Sequence, residues 1–195
     1  TYNSQRTIEE CLSALVGLDP ATRVLVYDNA STDSTADILR GFDERVELEI
    51  AHSNNGFSFG CNRCAEKAVD ATHLAFINPD AIVTADIVCR LLLEKKKGEA
   101  SLVGFSCRDA KQKLDLNFRR YPGIFSAALT ISDRLLTLLG KSRKFDLDKY
   151  YLDGSCLFIE REVFMACGKF RDLFLYGEDV ILSCELKKRC VPVLY

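Results

Sequence analysis

Apolar residues occur along this chain in short runs, and the runs alternate between helical and extended spacing. Helices are predicted after Ser4, after an N-cap at Ser31, and over 61–71, 84–98, 161–167 and from Glu178. Strands are predicted over 23–27, 46–50, 73–77, 102–106 and 151–160. Strands that alternate with helices at this spacing predict an α/β fold with a largely parallel, doubly wound sheet.

Polar residues follow several of these strands, at the sheet edge where open α/β folds bind their ligands. Asp28, the loop around Asn54, and Asp80 each come directly after one predicted strand. Because the carboxyl ends of parallel strands share one edge, we expect these side chains to lie near one another. The pattern predicts a ligand site at that edge.

The stretch NASTDST at 29–35 fits two interpretations. Side-chain acceptors at a strand end receive hydrogen bonds from a base or from ribose hydroxyls, and the following helix offers free backbone donors. Helix capping would equally explain Ser31 and Asp33 without any ligand. The residues alone leave both interpretations open.

Asn78, Pro79 and Asp80 form a second group. Proline cannot continue a central strand, so the run ends there and Asp80 is placed at the edge, where a hard cation bridging a diphosphate would use a carboxylate. The alternative is an ordinary turn in which Asn and Asp bond to their own backbone.

Glu178 and Asp179 form a third group, at a predicted helix start. The helix dipole favours carboxylates there. A carboxylate inside a cleft is also the general base that a sugar hydroxyl needs before it attacks an anomeric carbon. Helix neighbours point about 100° apart, so we expect one of the two to face the reacting atoms.

Charge and cysteine content narrow the class of protein. A net charge of −2 gives no overall field for nucleic acid, and no apolar run approaches the roughly 20 residues of a membrane span. Nine cysteines scattered among apolar neighbours indicate a reducing, cytoplasmic setting. Cys61 and Cys64 are interpreted as small buried side chains of a helix, in preference to a metal or redox pair.

Six segments together carry a resemblance to a known family. In chain order they are TYNS, VYDNASTDST, NNGFSFGCN, FINPDA, DGSCLFIEREVF and FRDLFLYGEDVILSCEL. They resemble the inverting family 2 glycosyltransferases of the GT-A fold, in particular the rhamnosyltransferase-like branch. The resemblance covers the chain apart from 107–150.

The resemblance implies a role for each matching residue. Asp179 matches the catalytic base, with Glu178 beside it, and Asp80 matches the last carboxylate of the metal motif, for Mg²⁺ or Mn²⁺. Asp153 and Gly154 match the strand that lines the sugar and acceptor cleft. The residues matching the nucleotide site are Thr1, Tyr2, Asn3, Asp28, Asn29, Ser31, Asn54, Gly56, Phe57, Asn62 and Asn78. One carboxylate in place of two predicts weaker metal binding.

The resemblance also predicts the organisation of the chain. It implies one catalytic domain over 1–195, with a nucleotide-binding half at 1–106, an inserted excursion at 107–150 and an acceptor and catalytic half at 151–195. Relatives begin with an apolar strand before TYN, and a doubly wound sheet places that strand centrally. We therefore expect a segment of the natural protein to precede Thr1, and relatives also continue beyond VPVLY.

The expected function is transfer of L-rhamnose or another hexose from a nucleotide-diphosphate donor to a glycan or lipid-linked acceptor, with inversion, in bacterial cell-surface polysaccharide synthesis. The expected location of the protein is the cytoplasm, with peripheral contact at the inner face of the membrane. One alternative is a sugar nucleotidyltransferase, but TYNSQRT is not the Gly-rich basic loop that such enzymes need. Another is a non-catalytic nucleotide-sugar or glycan-binding module, against which the presence of both Asp80 and Asp179 argues.

Overall fold

The computed structural model describes residues 1–18, 22–42, 44–85, 102–104, 106–108, 114–116, 118–121, 146–154, 156–174 and 176–194. Five helices have described bounds: α1 Ile8–Val16, α2 Thr35–Arg40, α3 Phe57–Lys67, α4 Arg161–Ala166 and α5 Glu178–Lys188. The helix predicted over 84–98 lies outside the described residues beyond Ala85.

Ten strands are described. They are β1 Val24–Asp28, β2 Val46–Ile50, β3 His73–Ile77, β4 Leu102–Gly104, β5 Ser106–Arg108, β6 Leu114–Leu116, β7 Phe118–Arg120, β8 Tyr150–Leu152, β9 Cys156–Glu160 and β10 Val193–Leu194. The predictions for β2 and β3 are confirmed to the residue. The strand predicted over 151–160 is divided in two, with a break at Asp153 and Gly154.

The central sheet has the order β10-β4-β9-β3, and β1 pairs separately with β2. The β1–β2 and β10–β4 pairs are parallel, whereas β9 runs antiparallel to both β3 and β4. The sheet is therefore mixed, which refines the expectation of a largely parallel one. Because β9 is reversed, its first residue, Cys156, pairs with the last residue of β3, Ile77.

The main core packs α4 and α5 against the central sheet. Three phenylalanine rings meet there, with centroids 4.8 Å apart for Phe76 and Phe164, 5.0 Å for Phe76 and Phe170, and 5.2 Å for Phe164 and Phe170. Burying such rings is a dominant contribution to core stability. The aromatic cluster fixes the chain just before the loop that leads into α5. A second core cluster of Ile8, Leu12, Val24 and Leu39 holds α1 and α2 against β1.

Two local predictions were wrong. The helix predicted over 61–71 begins instead at Phe57, directly after Gly56, and ends at Lys67. The α2 helix has Ser34, not Ser31, at its N-cap position. In both cases a tertiary contact of the residue concerned, described below, decides where the helix starts.

The excursion predicted at 107–150 contributes strands where it is described. The β7 strand pairs antiparallel with β8, so that Arg119 lies opposite Tyr151. The division of the chain into halves and an insertion stays a prediction.

Candidate active site

Two of the predicted site segments lie where strands end or begin at the same edge of the central sheet. The turn at Asn78, Pro79 and Asp80 follows the end of β3, and the Asp153–Gly154 break precedes the start of β9. Since Ile77 pairs with Cys156, both breaks leave the sheet at that edge. The reversed strand thus brings segments far apart in sequence to the same side of the fold.

Asp28, at the end of β1, is a fully buried carboxylate. Ser31 donates to it twice, from its backbone nitrogen at 3.0 Å and from its hydroxyl at 2.6 Å. The same hydroxyl accepts the backbone N–H of Asn3 at 2.8 Å. Ser31 is therefore engaged with Asp28 and the N-terminal segment, which is why it does not cap α2.

The N-terminal segment is bonded to this strand end by its backbone. The Thr1 nitrogen donates to the Tyr27 carbonyl at 2.7 Å, and Asn29 donates to the Thr1 carbonyl at 2.9 Å. The Asn3 side chain accepts the backbone N–H of Thr32 at 2.8 Å. These contacts place Thr1 and Asn3 beside Asp28, and their nucleotide-binding role stays a prediction.

Asp33 has a structural explanation. Its carboxylate accepts the backbone N–H of Thr35 at 3.0 Å and that of Gln5 at 3.3 Å. These hydrogen bonds lower the pKa of Asp33 despite the opposing effect of burial. Of the two interpretations left open for this residue, the contacts favour the structural one, because the carboxylate links the start of α2 to the N-terminal segment.

Asn29 holds the loop at 54–56 against the end of β1. Its buried amide accepts the backbone N–H of Asn55 at 3.1 Å and donates to the Gly56 carbonyl at 3.4 Å. Within the loop, the Asn54 side chain accepts the Gly56 N–H at 2.9 Å. The sequence interpretation missed Asn55, whose amide donates to the Tyr27 hydroxyl at 3.0 Å and adds a second link to β1.

Gly56 lies directly under the loop that precedes α5. Its φ of 90° is in the left-handed region, and a Cβ there would lie closer than 3.0 Å to the carbonyl oxygen of Phe174. Only glycine permits both this conformation and this approach. The contact joins the predicted nucleotide loop to the segment carrying Glu178 and Asp179, and it explains why α3 begins at Phe57.

Asp179 contacts the break between β8 and β9. One of its oxygens accepts the Val180 N–H at 2.7 Å, and the other accepts the Gly154 N–H at 3.4 Å. A Cβ on Gly154 would lie 3.5 Å from the Cβ of Asp179 and 3.8 Å from the Phe57 ring. Three of the predicted motifs therefore meet at Gly154.

The surroundings of Asp179 suit a general base. Burial raises the pKa of its carboxyl, the hydrogen bonds from Val180 and Gly154 oppose that effect, and the charge of Asp153 adds to it. A general base works best when its pKa is close to the working pH, so a raised pKa makes this carboxylate a better base near neutral pH. The side chain is only partly buried, so its carboxylate remains accessible to solvent.

Glu178 differs from its neighbour in exposure. It is 7% exposed, and one of its carboxylate oxygens has no hydrogen-bond partner among the described atoms. Burial, followed by the charges of Asp179 and Asp153, raises its pKa. Of the two carboxylates, Asp179 is therefore the more accessible.

A Glu178→Gln substitution is expected to stabilise the fold at pH 7 by about 1 kcal/mol, or about 2–4 °C in Tm. A carboxyl with a raised folded-state pKa contributes stability below its unfolded pKa, and that stability is lost as pH rises through the folded value. The gain should therefore vanish below about pH 4, where both states are protonated. Thermal melts from pH 3 to 8 measure it.

Glu162→Gln is the matched control for this substitution, because Glu162 is an exposed glutamate in the first turn of another helix, α4. An equal gain in stability from both variants would contradict the attribution of the gain to the burial of Glu178.

Asp153 forms an ion pair with Arg119, 3.5 Å from guanidinium nitrogen to carboxylate oxygen. Arg119 lies in β7, within the excursion predicted at 107–150, and was not named as a site residue from the sequence. Its position beside Asp153 follows from the β7–β8 pairing. The surroundings of Asp153, which is predicted to line the acceptor cleft, thus include a residue from the excursion.

Asp80 is exposed at the turn after β3. The Ala81 N–H donates to the Asn78 carbonyl at 3.0 Å, which closes the turn, and the Cys11 thiol approaches the same carbonyl at 3.7 Å. Burial, together with the charge of Asp80, raises the pKa of Cys11 to about 11. The turn expected from Pro79 is confirmed, with Asp80 directed to solvent.

The turn offers one carboxylate, that of Asp80, as a candidate metal ligand. No group of three or more His, Cys, Asp or Glu side chains with ligand geometry occurs within the described residues. A lone carboxylate suits Mg²⁺ or Mn²⁺, since Mg²⁺ is commonly held by one or two carboxylates together with substrate phosphates and water. Asp80 is compatible with that arrangement.

Four further positions singled out in the sequence have defined surroundings. Asn62 accepts the Phe170 N–H at 3.0 Å and donates to the Phe170 carbonyl at 2.9 Å, so its amide holds the core. Tyr2 is exposed. Cys61 and Cys64 are free thiols in α3, and burial raises the pKa of both, that of Cys64 to about 11. The nucleotide-binding role of Asn62 stays a prediction.

A family model for glycosyl transferase family 2 matches residues 1–168. The chain belongs to glycosyl transferase family 2. Membership of family 2 is thereby confirmed. Five of the six sequence segments lie within the matched range, and the sixth, FRDLFLYGEDVILSCEL with Glu178 and Asp179, lies beyond it.

Sequence relatives within the family match a shorter region. TuaG of Bacillus subtilis strain 168, a glycosyltransferase named for teichuronic acid biosynthesis, is 31% identical over 84 residues, which is 41% of this chain and 33% of TuaG. The chain therefore corresponds to a part of such a relative.

Solved structures confirm the GT-A-type fold. TarS 1–349 of S. aureus superposes with a TM-score of 0.70 at 15% identity, over 95% of this chain and 52% of TarS. The mannosyltransferase PcManGT of Pyrobaculum calidifontis, in complex with GDP-Man and Mn²⁺, superposes with a TM-score of 0.68 at 18% identity, over 99% of this chain and 51% of PcManGT. The chain spans about half the length of each solved structure.

Within the described residues, the helices are too short or too polar to cross a bilayer.

Proposed function

We propose that this family 2 protein transfers a hexosyl group from a nucleotide-diphosphate sugar to an acceptor hydroxyl, with inversion at the anomeric carbon. The observation that carries the proposal is the contact of the partly buried Asp179 with Gly154, at the sheet edge where Asp80 also emerges. A base and a candidate metal ligand on the same side of the fold are what a displacement at a diphospho-sugar requires.

The nucleoside would bind beside the end of β1. The buried Asp28 carboxylate, the Asn3 segment and the loop held by Asn29 surround that strand end. TarS has been solved with UDP and UDP-GlcNAc and PcManGT with GDP-Man, so a pyrimidine or purine nucleotide is compatible with this fold. The turn at Asn78, Pro79 and Asp80 resembles that of the rhamnosyl branch and supports dTDP-L-rhamnose as the donor.

Asp179 would act as the general base. It accepts a proton from the acceptor hydroxyl as that oxygen forms a bond to the anomeric carbon and the diphosphate leaves. A single in-line displacement inverts the configuration of the sugar. The amide donors of Val180 and Gly154 hold the carboxylate in place during this step.

Asp80 would hold Mg²⁺ or Mn²⁺ jointly with the diphosphate. When bound, the ion neutralises negative charge that develops on the leaving group. Asp80 itself contributes one hard oxygen ligand at an exposed turn, so the affinity of the free protein for the ion is expected to be low.

The acceptor is proposed to be a glycan or a lipid-linked saccharide. TuaG, by its name a teichuronic acid biosynthesis glycosyltransferase, supports a role in cell-surface polysaccharide synthesis. Such a role would place the protein in the cytoplasm, at the inner face of the membrane.

A thermal-shift panel of dTDP, UDP and GDP, each with and without Mn²⁺, tests the proposed donor site. A diphosphate at 100 times its Kd should stabilise the protein by about 2.7 kcal/mol. Asp80→Asn should remove the Mn²⁺-dependent part of the shift and leave the nucleotide-only part. The largest shift with dTDP would support a rhamnosyl donor.

Asp37→Asn, on the exposed side of α2, is the control and should behave as wild type in every condition. Absence of any shift with all three nucleotides would contradict the proposed function.

A further inference from the structure

Two large aromatic side chains are exposed directly before the proposed base. Phe174 is 63% exposed and Tyr176 is 80% exposed, in the loop between α4 and α5. We call them the 174/176 aromatic pair. Exposed aromatics beside a polar cleft are typical of ligand-binding surfaces, where ring faces supply contact area and nearby polar groups supply orientation.

Phe174, Tyr176 and Gly177 each have a constrained backbone. The backbone of Phe174 packs on Gly56 so closely that no Cβ would fit between them. Tyr176 has a φ of 63° and Gly177 a φ of 99°, both in the left-handed region, immediately before α5 begins at Glu178. A bulky residue at positive φ is costly and is retained at sites where its placement matters.

The charge around the base is negative. Asp179, Glu178 and Asp153 act on one another electrostatically, and the charges of Asp179 and Asp153 also raise the pKa of Tyr151 after burial. Arg119 is paired with Asp153, and no ion pair of Asp179 or Glu178 occurs in the described part of the chain. An acceptor with a negative group near its reacting hydroxyl would be repelled here.

We propose that the 174/176 aromatic pair forms an acceptor subsite that binds a neutral saccharide, with a sugar ring stacked on Tyr176. The inference rests on the proposed function, because the hydroxyl that Asp179 deprotonates belongs to this acceptor. A sugar presents an apolar C–H face to an aromatic ring and hydroxyls to the carboxylates beyond it. A neutral saccharide therefore matches both the exposed rings and the negative charge.

The chain contains no tryptophan, so one introduced tryptophan is a specific fluorescent reporter. Tyr176→Trp is titrated with methyl α-L-rhamnopyranoside, methyl β-D-glucopyranoside, methyl β-D-glucuronide and glycerol 1-phosphate. At least one neutral glycoside should change the emission saturably, and the glucuronide and glycerol phosphate should bind at least about tenfold more weakly. Phe174→Trp is a second reporter with the same expected response.

Val69→Trp is the matched control, since Val69 is 73% exposed and lies between α3 and β3, away from the loop. Its emission should not respond to any glycoside. In a transfer assay, Tyr176→Ala should raise the acceptor KM about tenfold, equivalent to one stacked aromatic contact, whereas Val69→Ala should not.

Several results would overturn the subsite. They are an equal or stronger response to the anionic probes, no response of either reporter to any glycoside, and a blue shift with phosphatidylglycerol vesicles in place of a glycoside response. If the reporter variants do not respond to glycosides and elute as dimers on gel filtration, the pair would likewise be assigned to contact with a second copy of the chain. Nucleotide binding by the wild-type protein is scored separately, so failure of the donor site and failure of this subsite are distinguishable.

Discussion

Asp179→Asn is expected to lower the rate of glycosyl transfer by about 10²–10⁴-fold, the range usual for loss of a general base. The asparagine amide has nearly the same shape and can still accept the Val180 N–H, but it cannot take a proton from the acceptor. Nucleotide binding should be retained, because Asp28 and the loop at 54–56 are unchanged. Transfer is measured by product chromatography at saturating donor, and binding by thermal shift.

The pH dependence of transfer gives a second measurement of the same residue. Burial raises the pKa of Asp179, so the acid limb of the rate profile should lie above the ordinary aspartate value, with activity rising as pH rises. Asp37→Asn on α2 should retain both the rate and the profile. Transfer at the wild-type rate by Asp179→Asn would refute its role as base, and donor binding without transfer by the wild-type protein would favour the non-catalytic module.

Gly56→Ala is expected to destabilise the protein by about 3 kcal/mol or more, which corresponds to a fall in Tm of about 6–12 °C. The new Cβ would lie closer than 3.0 Å to the backbone of Phe174, at a φ of 90° that an L-residue rarely adopts. Either α3 or the loop before α5 must then shift. Chemical denaturation and thermal melts measure the loss.

Gly168→Ala separates the two causes. Gly168 has a φ of 84°, but nothing lies within 4 Å of the position its Cβ would take. It should cost only the conformational part, about 1–2 kcal/mol. Equal losses for the two variants would mean that the Phe174 contact adds nothing at Gly56.

The local elements followed from the spacing of apolar residues. The β2 and β3 strands were predicted to the residue, because each is a short apolar or alternating run between polar breaks. Pro79 removed any continuation of β3 and made the exposure of Asp80 predictable. Asp28 and Asp179 could also be named as candidates, since carboxylates directly after a strand or at a helix start are visible in the sequence.

The start of α3 and the bonding of Ser31 could not be predicted from local pattern. Gly56, which directly precedes α3, packs against the backbone of Phe174, a residue distant in sequence. Ser31 bonds to the buried Asp28 carboxylate and to the N-terminal segment. Arg119 likewise gained its place beside Asp153 only through the pairing of β7 with β8.

By itself, the sequence determined the alternation of helices and strands and the residue types available for chemistry, since these depend on neighbours within a few positions. Six segments spread along it also indicated the family. Only the tertiary structure decided which of those residues meet. The antiparallel β9 sets Cys156 beside Ile77, the Gly154 amide bonds to Asp179, and the backbone of Phe174 packs on Gly56. The physical reason is that strand direction and close backbone approach depend on long-range hydrogen bonds and steric fit, which no local pattern of apolar and polar residues encodes.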